Sequence, residues 1–356
     1  MPWADCVDDE SRSIREAGRW RQIADLDENL VNFASNDYLG LSRHPAVVGA
    51  ARDALDRWGA GSGAARLVAG SRPVHTELEA ALAAWKREQA ALLFPTGYAA
   101  NLGPLATLGT AGVRVLSDER NHASIVDGCR LSRAEVCVYG HGDVDQVDDL
   151  LRCSPGRAVV VTDTVFSMDG DVAPVEALAE RCAAHGALLV LDEAHAVLGP
   201  DPDLDGVDHL RVGTLSKYLG SLGGFVAGSR ALVDLLVNRA RTFIFTTAPS
   251  PADAAAGLAA LGVLGADEGA ALVARLRANV GHVAPGHPSP IVPVVVGNED
   301  AALAASAALR ERGLLVPAIR PPTVPPGTSR LRISLSATHT TDQLDALLDG
   351  LRAVAT

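Results

Sequence analysis

The sequence predicts an α/β protein with a large domain followed by a small α+β domain. Between about residues 90 and 230, short apolar runs alternate with helix-like stretches, a pattern typical of parallel strands joined by crossover helices. After Gly281 the chain becomes Pro-rich and then alternates shorter strands and helices. Its 356 residues are enough for about two domains. We expect an N-terminal arm over 1–35, a large domain over 36–280 and a small domain over 281–356.

In chain order, the apolar runs of the large domain predict strands at 91–94, 114–116, 158–162, 188–191, 211–215 and 225–227. Helix-like patterns predict helices at 73–89, 98–108, 174–185 and 251–279. The small domain is expected to hold a strand at 291–296, a helix at 299–312, strands at 314–318 and 330–335, and a helix at 341–354. Ligands of open α/β sheets bind beyond the carboxyl ends of the strands, where several of these runs turn polar. We expect the functional site at that edge.

The composition argues against several functional classes. The formal charge is −12 without a cluster of cations, which disfavours a nucleic-acid surface. No window approaches the roughly 18 apolar residues of a membrane helix, and the acidic N-terminus lacks an apolar signal core, so we expect a cytoplasmic protein without a membrane partner. The five cysteines are odd in number and include no C-x-x-C pair, which predicts neither a disulfide framework nor a metal site.

Only two of the 31 basic residues are lysines, Lys86 and Lys217. Lys86 lies among charges in the sequence Trp-Lys-Arg-Glu, as is typical of a helix surface. Lys217 follows an apolar run and is surrounded by hydroxyl-bearing and small residues over 214–220. Desolvation at such a place favours the neutral amine that Schiff-base chemistry needs. The alternative is a lysine that only covers a loop.

A carboxylate and a histidine follow the most apolar of the predicted strands. Asp192 ends the run 188–191, and His195 lies three residues further on. A carboxylate at a buried strand end needs a partner, and a protonated pyridine nitrogen would serve, with His195 close to the phenolic oxygen of the same ring. The letters D-E-A-H also occur in helicases, but the sequence has no G-x-x-x-x-G-K-[ST] phosphate loop.

Three further segments place polar groups after predicted strands. Gly97 and Tyr98 form a turn into a helix, whose first N–H groups would bind a phosphate ester, although many such turns bind nothing. His122 follows the strand at 114–116 and could stack on a flat ring, or be an ordinary packing histidine. Ser167 follows the strand at 158–162 and offers one more polar contact. Together the segments indicate a pyridoxal-phosphate site.

At this point the sequence resembles the α-oxoamine synthases, a family of fold-type-I pyridoxal-phosphate enzymes, and among them the members of biotin biosynthesis. The resemblance rests on Asn-Asp-Tyr-Leu-Gly-Leu at 36–41, Ser-Met-Asp-Gly at 167–170, Asp-Glu-Ala-His at 192–195 and Arg-Pro-Pro-Thr-Val-Pro-Pro-Gly-Thr at 320–328. It covers nearly the whole chain. It implies an aspartate-aminotransferase-like fold, with a mostly parallel seven-stranded sheet in the large domain, and pyridoxal 5'-phosphate as the cofactor.

The resemblance also implies residue roles. Lys217 would carry the cofactor, Asp192 would pair with its ring nitrogen and His122 would stack on the ring. The other cofactor contacts implied are Gly97, Tyr98 and Thr214 at the phosphate, Ser167 and His195 at the phenolic oxygen, and Thr246 and Thr247 at the phosphate of a partner protomer. The substrate residues implied are Asn36, His122, Arg320, Thr323, Arg332 for the amino acid carboxylate, and Arg21 or Arg19 for the acyl group. Lys217, His122, Asp192 and His195 form the implied catalytic set.

The implied reaction is the condensation of L-alanine with a pimeloyl thioester of coenzyme A or a carrier protein, with loss of carbon dioxide and of the thiol. A homodimer with shared active sites is implied as well. Two departures concern the acyl substrate: Ala196 follows the histidine where the family commonly has glycine, with a short segment at 197–210, and alanines occupy 64 and 65 in a glycine-rich stretch. The alternatives are an α-oxoamine synthase with another amino acid or thioester, and an inactive partner subunit.

Overall fold

The computed structural model describes residues 2–23, 25–154 and 156–354, which form two compact units. The large unit comprises 35–292 and 334–344. The small unit comprises 1–34, 293–333 and 345–356. The segment that we expected to be an N-terminal arm is thus part of the small unit. Residues 281–292 and 334–344, expected in the small domain, belong to the large unit.

The structure contains twelve β-strands within the described residues. They are β1 (Val31–Asn32), β2 (Ala90–Phe94), β3 (Arg114–Asp118), β4 (Glu135–Tyr139), β5 (Ala158–Asp163), β6 (Leu188–Asp192), β7 (His209–Thr214), β8 (Gly224–Gly228), β9 (Ile291–Gly297), β10 (Leu314–Leu315), β11 (Ala318–Ile319) and β12 (Ser329–Ser334).

Thirteen α-helices accompany these strands in the described part of the chain. They are α1 (Trp3–Glu16), α2 (Pro45–Trp58), α3 (Pro73–Lys86), α4 (Gly97–Leu108), α5 (Ala123–Leu131), α6 (Val144–Arg152), α7 (Val175–His185), α8 (Arg230–Arg239), α9 (Arg241–Ile244), α10 (Pro251–Leu264), α11 (Asp267–Val283), α12 (Glu299–Glu311) and α13 (Thr341–Val354). A 3₁₀ turn (Leu41–Arg43) and a π-helical turn (Arg66–Gly70) also occur in the large unit.

The large unit is built on the seven-stranded sheet that the resemblance implied. The strand order is β2-β8-β7-β6-β5-β3-β4, and only β8 runs against the others. Strands β5 and β6 are buried along almost their whole length, because helices cover both faces of a parallel sheet. Their register pairs Asp163 with Asp192, so two carboxyl groups lie at the same edge of the sheet.

Helices pack on the two faces of this sheet around separate apolar clusters. One cluster contains Phe94, Ile125, Val161 and Phe243, and the other contains Leu116, Val160, Leu178 and Leu191. Neighbouring residues of β5, Val160 and Val161, thus point to opposite faces, as the period of two in a strand requires. In the small unit, β1 pairs with β10 in parallel, and β11, β12 and β9 form a three-stranded sheet.

Three details differ from the sequence-based expectations. The segment 251–279 is not one helix, because the chain bends by 81° between α10 and α11. The expected strand at 314–318 is divided into β10 and β11, which lie in different sheets, and Pro317 between them cannot donate a ladder hydrogen bond. Strand β4 was not predicted, and Val136 and Val138 on it are 40% and 62% exposed because β4 is the edge strand.

No single helix of the described residues is both long and apolar enough to cross a membrane. Helices α10 and α11 reach that length and composition only when taken together across their bend.

Candidate active site

A cavity of about 170 Å³ lies at the carboxyl ends of the central strands of the large unit. Seven residues predicted for the cofactor line it, namely Gly97, Tyr98, His122, Asp192, His195, Thr214 and Lys217. The volume is below the roughly 300–1,000 Å³ that is typical of sites for drug-sized ligands. Residues more than a hundred positions apart in the sequence therefore meet at the edge of the sheet where we expected the site.

Lys217 is held by a chain of hydrogen-bonded side chains. Its Nζ lies 2.8 Å from Nε2 of His195, and Nδ1 of His195 lies 2.7 Å from the hydroxyl of Tyr38. That hydroxyl in turn donates to Oδ1 of Asn36 at 3.1 Å. Tyr38 is completely buried and His195 is 4% exposed, so this chain is fixed inside the protein.

A second chain connects Asp192 with His122. The Nδ2 group of Asn101 donates to Oδ2 of Asp192 at 2.6 Å and to Oγ of Ser124 at 2.9 Å. Oγ of Ser124 lies 2.7 Å from Nδ1 of His122, and the backbone N–H of Ser124 also donates to that nitrogen. Because Nδ1 of His122 accepts hydrogen bonds, its proton is on Nε2. Loss of water around His122 lowers the pKa of the imidazole, although Asp192 opposes this, so the neutral ring is favoured.

Asp163 is a second buried carboxyl group in the cavity lining. It lies beside Asp192 in the sheet, and its Oδ2 accepts the backbone N–H of His122 at 2.7 Å. Burial and the charge of Asp192 raise the pKa of Asp163 well above its ordinary value. Burial and a neighbouring carboxyl group both disfavour the ionised form of Asp163.

The first turn of α4 forms another wall of the cavity. Oγ1 of Thr96 caps the helix by accepting the N–H of Ala99 at 3.1 Å. A Cβ added to Gly97 would lie 3.2 Å from Cβ of Thr214, so glycine leaves room at this wall. Tyr98 lines the cavity, but its side chain is 44% exposed and its hydroxyl donates to Asp127. The tyrosine hydroxyl therefore has a carboxylate partner that is not part of the cavity lining.

Three predicted cofactor residues are not part of the cavity lining that the structure describes. Ser167 is half-buried in the turn after β5, and Thr246 and Thr247 follow α9, with Thr247 exposed. The two threonines were expected to serve a partner protomer, so their roles stay predictions. The described residues contain no group of three or more His, Cys, Asp or Glu side chains placed to hold a metal ion.

The predicted substrate residues other than Asn36 and His122 lie in the small unit. Nη2 of Arg21 donates to Oγ1 of Thr323 at 3.3 Å, and Nη1 of Arg320 donates to the carbonyl of Gly18 at 2.6 Å. Arg332 is buried on β12. Arg19 makes two hydrogen bonds to the carboxylate of Glu299, from Nε to Oε2 at 3.3 Å and from Nη2 to Oε1 at 2.8 Å. Of the two candidates for the acyl group, Arg21 is the one beside another predicted substrate residue.

The cavity residues fit pyridoxal phosphate. Asp192 is 5% exposed and accepts only neutral donors, from Asn101 and the N–H of Ala194, with no ion-pair partner in the described chain. Such a carboxylate is suited to a cationic ring nitrogen. Oδ1 of Asn101 is buried without a hydrogen-bond partner among the described residues. The helix N-terminus with Gly97 offers N–H groups for a phosphate.

Asn101, Ser124, Asp163 and Tyr38 are site residues to which sequence reasoning gave no role. Asp163 ends an apolar strand just as Asp192 does, so the same signal could have found it. Asn101 is a buried amide within an apolar helix, which is another usable signal. The contact of Tyr38 with His195 spans 157 positions and has no local sequence signal.

Comparison with known proteins places the chain among related sequences and folds. Residues 28–351 match the model of the family "Aminotransferase class I and II". An 8-amino-7-oxononanoate synthase from Anaeromyxobacter dehalogenans (strain 2CP-1) is 54% identical over 348 residues, covering 91% of this chain and 86% of the relative.

Two solved structures extend the comparison. A variant serine palmitoyltransferase from S. paucimobilis with bound PLP-myriocin aldimine has a TM-score of 0.90 at 29% identity, covering 99% of this chain and 97% of the other. An 8-amino-7-oxononanoate synthase from Francisella tularensis has a TM-score of 0.76 at 26% identity, covering 92% and 99%.

Proposed function

This chain belongs to the 8-amino-7-oxononanoate synthases of the aminotransferase class I and II family, and we propose that it condenses L-alanine with a pimeloyl thioester. The products are 8-amino-7-oxononanoate, carbon dioxide and a free thiol of coenzyme A or a carrier protein. The observation that carries the proposal is the meeting of Lys217, Asp192 and His122 in one cavity. The enzyme is a pyridoxal-phosphate-dependent acyltransferase.

Asp192 is the residue for the ring nitrogen of the cofactor. When bound, pyridoxal phosphate supplies an electron sink for the negative charge that develops at the α-carbon of the amino acid. Asn101 and the N–H of Ala194 each hold one oxygen of Asp192, so the carboxylate keeps a fixed direction. Because Ser124 joins Asn101 to His122, the same hydrogen bonds orient the imidazole that we propose to face the ring.

Lys217 is the residue for covalent attachment of the cofactor and for proton transfer. We propose that its Nζ removes the α-proton of alanine once the substrate has displaced it. His195 lies next to Nζ and keeps the amine directed into the cavity. The first turn of α4, with Gly97 and Thr214 opposite each other, is proposed to hold the phosphate.

We propose Arg332 for the amino acid carboxylate, since a guanidinium binds a carboxylate through two parallel hydrogen bonds. Asn36 and His122 are also proposed to contact the substrate. Arg21, Arg320 and Thr323 are proposed for the acyl thioester, supported by the contact of Arg21 with Thr323.

We also propose a cytoplasmic homodimer in which Thr246 and Thr247 reach the partner's site. Phe245, just before them, is 69% exposed and lines a hollow of about 1,020 Å³ together with Leu131, which is 63% exposed. Large exposed apolar side chains in one hollow are typical of interaction surfaces. Sedimentation analysis of the purified protein tests the dimer.

The two lysines allow a sharp test of the proposed chemistry. L-Alanine and pimeloyl thioester are incubated with the parent, Lys217→Ala and Lys86→Arg, and the product is detected by mass. Loss of the general base is expected to lower the rate at least about 100-fold in Lys217→Ala. Lys86→Arg is the matched control, because Lys86 pairs with Glu193 outside the cavity lining and keeps its charge in the variant. Equal activity of Lys217→Ala and the parent would show that Lys217 does not have the proposed catalytic role.

Glycine, serine and palmitoyl thioester serve as further arms of the same assay. The likeness to a serine palmitoyltransferase fold makes serine the competitor that matters most. The greater sequence identity to 8-amino-7-oxononanoate synthases leads us to expect the highest kcat/KM for alanine with the pimeloyl thioester. A higher value for serine would assign the chain to another reaction of the same type.

A further inference from the structure

His141 lies between two carboxyl groups in the large unit, where β3 ends. Its Nδ1 is 3.1 Å from Oδ1 of Asp118, the last residue of β3, and its Nε2 is 2.5 Å from Oδ2 of Asp171. The imidazole stands edge-on to the ring of Phe166, with 4.4 Å between the ring centroids and 84° between the planes. One side chain thus joins the end of β3 to the turn 166–171, which follows β5.

The turn 166–171 carries Ser167, for which the sequence predicted a contact with the phenolic oxygen of the cofactor. Phe166 donates its N–H to the carbonyl of Asp171 at 3.0 Å and accepts the N–H of Gly170 at 2.8 Å, so the turn is closed on itself. A Cβ on Gly170 would lie 2.0 Å from the carbonyl oxygen of Ile291, so the turn also packs on backbone there. Its connection to β3 depends on side chains.

The two partners of His141 indicate its protonation state. A carboxylate only accepts, so each ring nitrogen must carry a proton to form both hydrogen bonds. Burial opposes the positive charge, but the carboxylates of Asp171 and Asp118 outweigh it and raise the pKa of His141. A further acidic group, Glu119, accepts the backbone N–H of His141 at 3.3 Å through Oε1. The groups around the imidazole therefore favour its charged form.

The end of β3 has other restraints besides the imidazole. Oδ1 of Asp118 accepts the N–H of Arg120 at 2.8 Å, and Oδ2 accepts the N–H of Gly142 at 2.9 Å. An ion pair of Arg120 with Asp169, 3.5 Å long and partly exposed, also joins the loop after β3 to the turn, but pairs at the surface contribute little. Loss of the contact through His141 should therefore release the turn more than the end of β3.

We propose that His141 is a positioning residue that, with both ring nitrogens protonated, fastens the turn of Ser167 to the end of β3. The consequence for the reaction rests on the proposed function, because Ser167 matters only where pyridoxal phosphate binds beside it. When the pH rises and His141 loses one proton, a single N–H serves two carboxylates and a lone pair faces one of them. The turn is then released on the alkaline side.

Hydrogen exchange of the full chain without pyridoxal phosphate measures this contact. Protection factors of peptides covering 118–122 and 166–171 are followed by mass spectrometry from about pH 6 to about pH 9, because a protection factor removes the general increase of exchange with pH. In the parent, protection of the turn should fall on the alkaline side. In His141→Asn it should be roughly tenfold lower at the acid end, with little dependence on pH and a smaller change at 118–122.

Asp171→Asn is a second variant with a distinct expected result. Its amide can donate as well as accept, so a neutral His141 can keep Nδ1–H on Asp118 while Nε2 accepts from the amide. Protection of the turn should then persist at alkaline pH. Loss of protection with rising pH in Asp171→Asn as in the parent, or protection of the turn in His141→Asn equal to that of the parent, would overturn the proposal.

His209→Asn is the matched control. Nε2 of His209 lies 2.7 Å from Oε1 of Glu88, which raises the pKa of this histidine despite burial, and His209 is not part of the cavity lining. The variant thus removes another histidine that is paired with a carboxylate in the large unit. The turn 166–171 should keep the protection of the parent at every pH, and a loss equal to that in His141→Asn would contradict a local role of His141.

Titration of the cofactor-free chain with pyridoxal phosphate, followed by absorbance, tests the consequence for the site. The Kd should be roughly fivefold higher in His141→Asn than in the parent, the size of one lost hydrogen bond. If protection of the turn changes as expected while the Kd equals that of the parent, the fastening by His141 stands and the predicted place of Ser167 at the cofactor fails. The failure of the two ideas can thus be told apart.

Discussion

At the scale of single residues, the active site separates two neighbouring carboxyl groups by their surroundings. Asp192 accepts two hydrogen bonds and is the carboxylate that we propose for the ring nitrogen, whereas Asp163 is fully enclosed and next to the charge of Asp192. Such a separation is how one site keeps one carboxyl ionised and its neighbour neutral. The sheet register makes this possible, because it aligns the ends of β5 and β6.

This separation predicts different outcomes for two asparagine variants. Asp163→Asn replaces a neutral carboxyl group by a neutral amide whose oxygen can still accept the N–H of His122, so kcat should stay within about threefold of the parent. Asp192→Asn removes the charge proposed for the ring nitrogen and should lower kcat roughly 100-fold. Steady-state kinetics at saturating cofactor measure both. If kcat fell more in Asp163→Asn than in Asp192→Asn, the ionised carboxylate would be Asp163 and our assignment would be wrong.

Much of the site could be predicted at this scale, and the reason lies in local chemistry. Lys217 and Asp192 each follow an apolar run, so their positions at strand ends were visible in the sequence. The partners that orient them were not visible. Tyr38 and Asn101 reach His195 and Asp192 across 157 and 91 positions, and only the folded sheet brings them together.

At the scale of elements, the turn after Lys217 depends on a glycine. Gly220 has φ +62° and donates its N–H to the carbonyl of Lys217 at 2.9 Å. A Cβ there would lie 2.3 Å from the backbone N of Ser42 and 2.5 Å from the carbonyl carbon of Leu41. The turn that presents Lys217 is thus packed directly on the backbone of the 3₁₀ turn Leu41–Arg43.

Gly220→Ala and Gly186→Ala form a matched pair that separates backbone strain from crowding. Both glycines have φ +62°, but a Cβ on Gly186 meets nothing within 4 Å. Gly186→Ala should therefore cost only the left-handed conformation, about 1–2 kcal/mol in the free energy of unfolding. Gly220→Ala should cost about 1–3 kcal/mol more because of overpacking, and should lower kcat as well. Urea unfolding measures the difference, and equal losses would contradict the crowding argument.

Element boundaries show what sequence patterns miss. Helix α13 has the bounds that its pattern predicted, because an amphipathic helix at the end of a chain has clear periodicity. The break between α10 and α11 was missed, since the alanine-rich sequence favours helix on both sides and has no proline at the bend. Strand β4 was missed because only Tyr139 on it is buried, so the apolar signal is weak.

At the scale of the whole molecule, two histidines of the large unit, His75 and His141, make stability depend on pH in opposite directions. His75 is buried, with Nε2 bonded to the carbonyl of Pro249 and Nδ1 accepting the N–H of Arg72. Burial lowers the pKa of His75, because the charged imidazole loses its hydration inside the protein. Burial would also lower the pKa of His141, but the carboxylates of Asp171 and Asp118, one at each ring nitrogen, outweigh it and raise the pKa.

The signs follow from which state binds more protons. For His75 the unfolded chain binds more, so its contribution is complete above the unfolded pKa of about 6.5 and is lost as the pH falls below it. For His141 the folded chain binds more, so its contribution is complete below about pH 6.5 and is lost as the pH rises through the folded pKa. In a plot of the free energy of unfolding against pH, His75 thus affects the slope on the acid side and His141 the slope on the alkaline side.

Two variants should therefore change opposite limbs of that curve. In His141→Asn, the free energy of unfolding should fall less steeply with pH above about 6.5 than in the parent, while the acid side keeps its slope. In His75→Asn, the acid side should become flatter and the alkaline side should keep its slope. Urea unfolding at a series of pH values from 5 to 9 measures both slopes. Because the comparison uses slopes and not the stability at one pH, a general loss of stability in either variant leaves the test intact. Parallel curves for parent and His141→Asn would show that the two carboxylates do not hold a proton on His141.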